Sequence, residues 1–170
     1  RRPEPVDGAD VDHPSRLLRR ARGLEQREEE LRGVEDALDA MSWAKKIGGL
    51  AEMQRRADAN LAVIEAWVAR TPWVANLAED PATRSNTSVC LKVVDARVAG
   101  LPEAAQADFA KKLAGLLEKE GVALDVGGYR DAPPGLRIWC GATVETSDLD
   151  ALTPWLDWAF ATVAEDLAAA

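Results

Sequence analysis

Hydrophobic positions repeat with a helical period over most of this chain and alternate in strand fashion in a few short stretches. Leu50, Met53, Ala57, Leu61, Ile64 and Val68 recur three and four residues apart. That spacing predicts a helix from about Leu50 to Ala69 with one apolar face. Thr71-Pro72 should end it, because the residue before a proline disfavours α geometry. Upstream, residues 33–47 read as a helix with Leu38, Met41 and Ile47 turned inward and Gly48-Gly49 as its stop. Pro102 opens a further helix at a favourable first-turn position, with Phe109, Leu113, Leu116 and Leu117 as its buried face and Gly121 as its end. Ser147-Asp148-Leu149-Asp150 looks like an N-cap followed by first-turn acids. The helix it starts should reach about Leu167 and bury Leu149, Leu152, Leu156 and Phe160.

Between these lie the expected strands: a short one at Trp73–Asn76, a firmer one at Ser88–Val94, then Val122–Val126 and Leu136–Ala142. This order predicts an α+β fold, a small and mostly antiparallel sheet with helices packed on one face. No internal repeat is evident.

The first 32 residues do not fit this pattern. Residues 1–15 hold three prolines and several acids with little to bury, and are expected to be disordered. Leu17, Leu24, Leu31 and Leu38 recur every seven residues, but Arg20 and Arg27 fall where a coiled coil wants apolar groups, and Gly23 and Gly33 weaken a helix. A marginal amphipathic helix is the expectation. Composition breaks at the same place. Residues 1–32 carry eight arginines and eight acids and are neutral, so the rest of the chain carries the whole net charge of −8 and all six tryptophans. The expected division is therefore a leader at 1–32 and a folded domain at 33–170.

The acidic balance argues against nucleic-acid binding, which needs a basic surface. The apolar run from Thr87 to Val94 is short and interrupted by Lys92, so no membrane span is expected. The charged N-terminus has no apolar signal-peptide core. Cys90 and Cys140 fall in expected strands and read as small hydrophobes rather than a disulfide, which suits a reducing cytoplasm. His13 stands alone in the leader, so neither a zinc cluster nor a Ser-His-Asp arrangement can be built. Gly127-Gly128 reads as a turn, and Trp43, Trp67, Trp155 and Trp158 as core or dimer contacts rather than a base-stacking platform.

The segment Tyr129-Arg130-Asp131-Ala132-Pro133-Pro134-Gly135-Leu136-Arg137-Ile138-Trp139-Cys140-Gly141 carries the most chemistry. Two arginines flank a stiff Pro-Pro-Gly turn, and Arg137 sits where loop becomes strand. A guanidinium held there suits two-point binding of a carboxylate or phosphate. The structural alternative is that Arg137 pairs with a nearby Asp or covers the core with its alkyl stem.

Residues 129–145 resemble the C-terminal substrate-binding segment of the phosphoserine aminotransferase family, and the likeness runs on through 57–61, 79–90 and 152–160, covering about residues 33 to 168. It implies the C-terminal small domain of a fold-type-I enzyme that uses pyridoxal phosphate. The reaction it implies exchanges an amino group between glutamate and 3-phosphohydroxypyruvate, in serine biosynthesis, by a cytoplasmic homodimer. It also implies that Arg137 clamps the substrate α-carboxylate. Arg130, with Tyr129 where other branches have histidine, takes the place of the pair that binds the substrate phosphate. One extra residue separates these two arginines from the family spacing.

Two departures stand beside the resemblance. The Schiff-base lysine belongs to the family's large domain, and Lys45, Lys46, Lys92, Lys111, Lys112 and Lys119 all read as surface or helix-end residues. Glu28-Glu29-Glu30-Leu31-Arg32 stands where the family carries an asparagine-threonine-proline segment near the cofactor phosphate, and its acids would repel that group. The expectation is a truncated transaminase that is inactive and binds no pyridoxal phosphate by itself. The alternative is a stand-alone α+β ligand-binding or interaction module, or a dimer formed through the leucine stripe at 17–38. Arg84 is expected to serve the fold.

Overall fold

The computed structural model describes residues 32–129 and 131–168. The described residues fall into two units, one ending at Ile47 and the other beginning at Gly48. The first contributes helix α1 at 32–47. Its period is helical as expected, but Leu38 and Met41 do not turn inward: they are 56% and 60% exposed, and Val34 is exposed beside them. Leu17, Leu24 and Leu31 of the expected stripe, with the rest of 1–31, lie outside the described residues.

The second unit begins at the glycine break. Gly48 and Gly49 have φ of 124° and 72°, a region that β-carbon sterics close to most residues. Helix α2 then spans Gly49–Arg70 and ends where Thr71 turns extended before Pro72. Its buried positions are Ala57, Asn60, Ile64 and Trp67. Leu50, expected on that face, is instead exposed in the first turn.

Strands β1 (Val74–Asn76), β2 (Ser88–Val93) and β3 (Leu136–Trp139) form an antiparallel sheet in the order β1-β2-β3. Between β2 and β3 run the short helix α3 (Ala96–Ala99) and helix α4 (Glu103–Lys119), which ends just before Gly121 at φ 69°. Residues 122–126 do not form the expected strand. Only Gly127 bridges to Leu136, and the Arg137 amide donates to the Val126 carbonyl at 3.0 Å. Five apolar-rich residues fit a strand pattern, but the sheet edge takes up only the single bridge at Gly127 that follows them. The strand expected to reach Ala142 likewise stops at Trp139, where the chain bends into residues 141–144.

Helix α5 (Thr146–Ala168) carries Pro154 in its interior, where proline cannot donate to the Asp150 carbonyl. The buried hydroxyl of Thr153 takes over, donating to that carbonyl at 3.1 Å. One core joins these parts. Ile64 and Trp67 of α2, Leu113 and Leu117 of α4, and Leu156 and Phe160 of α5 pack with Val89, Leu91, Leu136 and Ile138 of the sheet. Each such large side chain removed from water contributes about 1.5–3 kcal/mol. The helices therefore back one face of the sheet, as the α+β expectation had it. Strand alternation puts Ala75, Cys90, Lys92, Arg137 and Trp139 on the other.

Candidate functional site

The site is built on that second face. Arg137 lies between Leu136 and Ile138, both buried in the core, so its own side chain must point the opposite way. Its backbone is held from two sides: it pairs with Cys90 across β2, and its amide binds Val126. Gly135, two residues earlier, makes this approach possible, because a β-carbon there would lie 2.0 Å from the Leu91 carbonyl oxygen. The Pro-Pro-Gly turn thus delivers Arg137 to a defined register.

The guanidinium is equally constrained. Nη2 donates to Asp125 Oδ2 at 2.5 Å, and the guanidinium carbon lies 4.6 Å from the centroid of the Tyr129 ring. Nε is buried and has no acceptor among the described residues. The Arg137 side chain is 18% exposed, whereas that of Asp125 is 79% exposed. The pairing with an aspartate anticipated as the structural alternative is therefore present, and one polar atom of the guanidinium remains unserved. Arg130 lies outside the described residues.

A groove of about 490 Å³ runs beside this site, between α4 and residues 124–129 and 132–135. Asp125 and Tyr129 line it, with Lys111 and Glu118 of α4. A smaller hollow of about 300 Å³ involves Arg84, Ser85, Ser88 and Cys90. Arg84 is committed to the fold, as expected. It donates from Nε to the Ala78 carbonyl at 3.0 Å, from Nη1 to Glu65 at 2.9 Å and from Nη2 to the Glu79 carbonyl at 3.2 Å.

A Schiff-base role would need an enclosed lysine amine. Lys45, Lys46, Lys111, Lys112 and Lys119 are exposed. Lys92 lies 3.1 Å from Glu79 at the surface. None of the six is an amine enclosed beside an acid that could hold a pyridine nitrogen, so the described residues do not fit pyridoxal phosphate. Cys140 is buried and its thiol is pushed up to about 12 by that burial, which removes it as a nucleophile. Among the described residues no cluster of three or more His, Cys, Asp or Glu could hold a metal, and no helix is long and apolar enough to cross a membrane.

Two supporting features escaped the pattern reading. Asn60 is fully buried in α2, and its Nδ2 donates to the carbonyls of Cys140, Gly141 and Val144 at 3.2, 3.2 and 3.0 Å. Its Oδ1 accepts from Thr146 at 2.8 Å, so one amide holds the bend that follows β3. The available signal was an asparagine on the apolar face of a helix. Asp125 was hidden because its segment read as a strand.

This is an α+β domain with a strand-borne arginine on the open face of its helix-backed antiparallel sheet. The structure of phosphoserine aminotransferase from Bacillus circulans subsp. alkalophilus matches it with a TM-score of 0.57 at 17% identity, over 71% of this chain and 30% of that one. A second phosphoserine aminotransferase structure, concerned with radiation damage of the Schiff base, matches at 0.55 and 14% identity over the same shares. These likenesses establish the fold. In sequence, 126 residues, 74% of the chain, are 48% identical to phosphoserine aminotransferase of Methanosarcina mazei and 49% identical to that of Methanosarcina barkeri. These curated homologues are phosphoserine aminotransferases, and the match is to their C-terminal portion. It spans 31% of the length of the curated relatives it matches. No family model matches the chain.

Proposed function

We propose that this chain supplies the carboxylate-recognising part of a phosphoserine aminotransferase substrate site. In this reading Arg137 binds the α-carboxylate of glutamate or O-phosphoserine, and Arg130 binds the substrate phosphate. The observation that carries it is the Arg137 side chain, fixed by strand pairing, flanked by Tyr129, and buried at an Nε that has no acceptor among the described residues. A buried donor without a partner costs about 1–3 kcal/mol, which an anionic oxygen bound there would recover. The resemblance implies that the complete reaction uses pyridoxal phosphate, the group that supplies the carbanion-stabilising chemistry of transamination. The six lysines of this chain do not provide its anchoring amine, so in this reading the anchor comes from outside the described residues. Cytoplasmic location and a homodimer belong to the same proposal.

The test is calorimetric titration of the 170-residue chain with O-phosphoserine. Saturable binding that disappears in Arg137→Gln is expected. Equal affinity in the wild-type chain and the Arg137→Gln chain would remove the reading.

A further inference from the structure

We infer that Asp125 is an internal stand-in for the ligand carboxylate: it occupies half of the Arg137 binding edge and yields it when an acidic ligand arrives. The inference rests on the assignment of Arg137 as the carboxylate-binding residue.

The argument starts from the shape of a guanidinium. The N–H bonds of Nε and one N–H of Nη2 lie along a single edge and point the same way, which is why one carboxylate can satisfy both at once. Here that edge is used by halves. Asp125 Oδ2 takes Nη2 at 2.5 Å, and Nε is left buried with no acceptor among the described residues. A two-pronged carboxylate would satisfy both donors, so it should outcompete a one-pronged one wherever reaching the edge costs little.

Displacing Asp125 should cost little. Its side chain is 79% exposed. An ion pair with so exposed a partner is worth at most about 1 kcal/mol. The segment that carries it is irregular rather than a strand, with one bridge at Gly127. Asp125 also lines the groove along α4, so a released carboxylate has open space to turn into, and Lys111 lines the same groove. Meanwhile the guanidinium itself stays put, because its other supports are the β3 pairing and the Tyr129 ring. A carboxylate held on the arginine in the free chain keeps the cation from being buried wholly unpaired. It also sets a threshold, since a weakly binding monoanion must compete with it.

The experiment is an NMR titration of the 170-residue chain with 2-oxoglutarate, in wild-type, Asp125→Asn, Asp125→Ser, Arg137→Gln and Asp125→Asn/Arg137→Gln forms. Binding is expected to tighten roughly three- to fivefold in both Asp125 variants, and to vanish in both forms that lack Arg137. The Arg137 Nε–H resonance should shift on saturation in the wild-type and Asp125 variants. Unchanged or weaker binding in the Asp125 variants, with Arg137→Gln still abolishing it, would overturn the stand-in role and leave the arginine assignment standing. Binding that survives Arg137→Gln, or no saturable binding in either the wild-type chain or the Asp125 variants, would overturn both.

Discussion

The backbone at Gly135 meets the backbone at Leu91 so closely that a β-carbon on residue 135 would sit 2.0 Å from the Leu91 carbonyl oxygen. The Leu91 oxygen is a main-chain atom of β2 and the position of a β-carbon is fixed by its own backbone, so neither can rotate away as a side-chain tip would. Leu91 also pairs with Leu136, the residue next to Gly135, so the clash falls on the ladder that sets the register of Arg137. Gly135→Ala is expected to destabilise the chain by about 3 kcal/mol, read by urea denaturation. It should also weaken anion binding in whatever fraction stays folded. A midpoint equal to that of the wild type would mean that the approach of the two strands is looser than described.

Asp157 joins two tryptophans that the sequence pattern left apart, Trp67 as a core or dimer contact and Trp73 at the start of a short strand. Trp73 Nε1 donates to its Oδ1 at 2.8 Å and Trp67 Nε1 lies 3.2 Å from both oxygens. Trp73 in turn stacks on Phe160 with centroids 4.4 Å apart. Asp157→Ala leaves two buried indole N–H groups without this acceptor. A loss of about 2 kcal/mol is expected, because Asp157 is at the surface and water can replace part of the interaction. Equilibrium unfolding followed by tryptophan emission checks it.

Helix periods and their punctuation were legible in the sequence because the signals are local. Gly48-Gly49, Thr71-Pro72, Pro102 and Gly121 each act on the backbone within a residue or two. The assignment of Leu38 and Met41 to an interior failed for a different reason: periodicity identifies a stripe but not what covers it. Residues 122–126 failed because a run as short as Val-Ala-Leu-Asp-Val fits a strand equally well whether or not an edge accepts it. Arg137 was legible as a rigid arginine from its turn and its strand. Its partner Asp125 was not, since twelve residues and a loop separate them. Asn60 was passed over because a polar residue on an apolar face gives no hint of which carbonyls it will meet.

Thr153 illustrates how a local defect is repaired. Pro154 deprives the Asp150 carbonyl of its helical donor, and the Thr153 hydroxyl replaces it at 3.1 Å. Thr153→Val keeps the shape and removes the donor. Thr153 is buried whereas Asp150 is exposed, so water can replace part of the interaction. The expected cost is about 1–2 kcal/mol, measured by thermal or urea unfolding. Thr153→Ser, which keeps the hydroxyl, should recover most of it. Equal stability of the valine variant and the wild type would show that the Asp150 carbonyl is served otherwise.

Cys140 gives the chain a pH signature. Burial raises its thiol to about 12, against an ordinary value of about 8.5. Below the ordinary value both the folded and unfolded thiols keep their proton, and the full stability is present. Above it the unfolded thiol ionises while the folded one does not. The unfolded state then binds fewer protons, so stability falls as pH rises from about 8.5 toward 12. Cys140→Ala should flatten this part of the pH profile, once the constant cost of its smaller volume is subtracted. The same burial predicts chemistry that can be watched directly. Iodoacetamide at mildly alkaline pH should leave Cys140 unmodified in the native chain and modify it in urea, as peptide mass spectrometry would read. Rapid alkylation of Cys140 without denaturant would mean that the bend after β3, held by Asn60, opens far more readily than its hydrogen bonds imply.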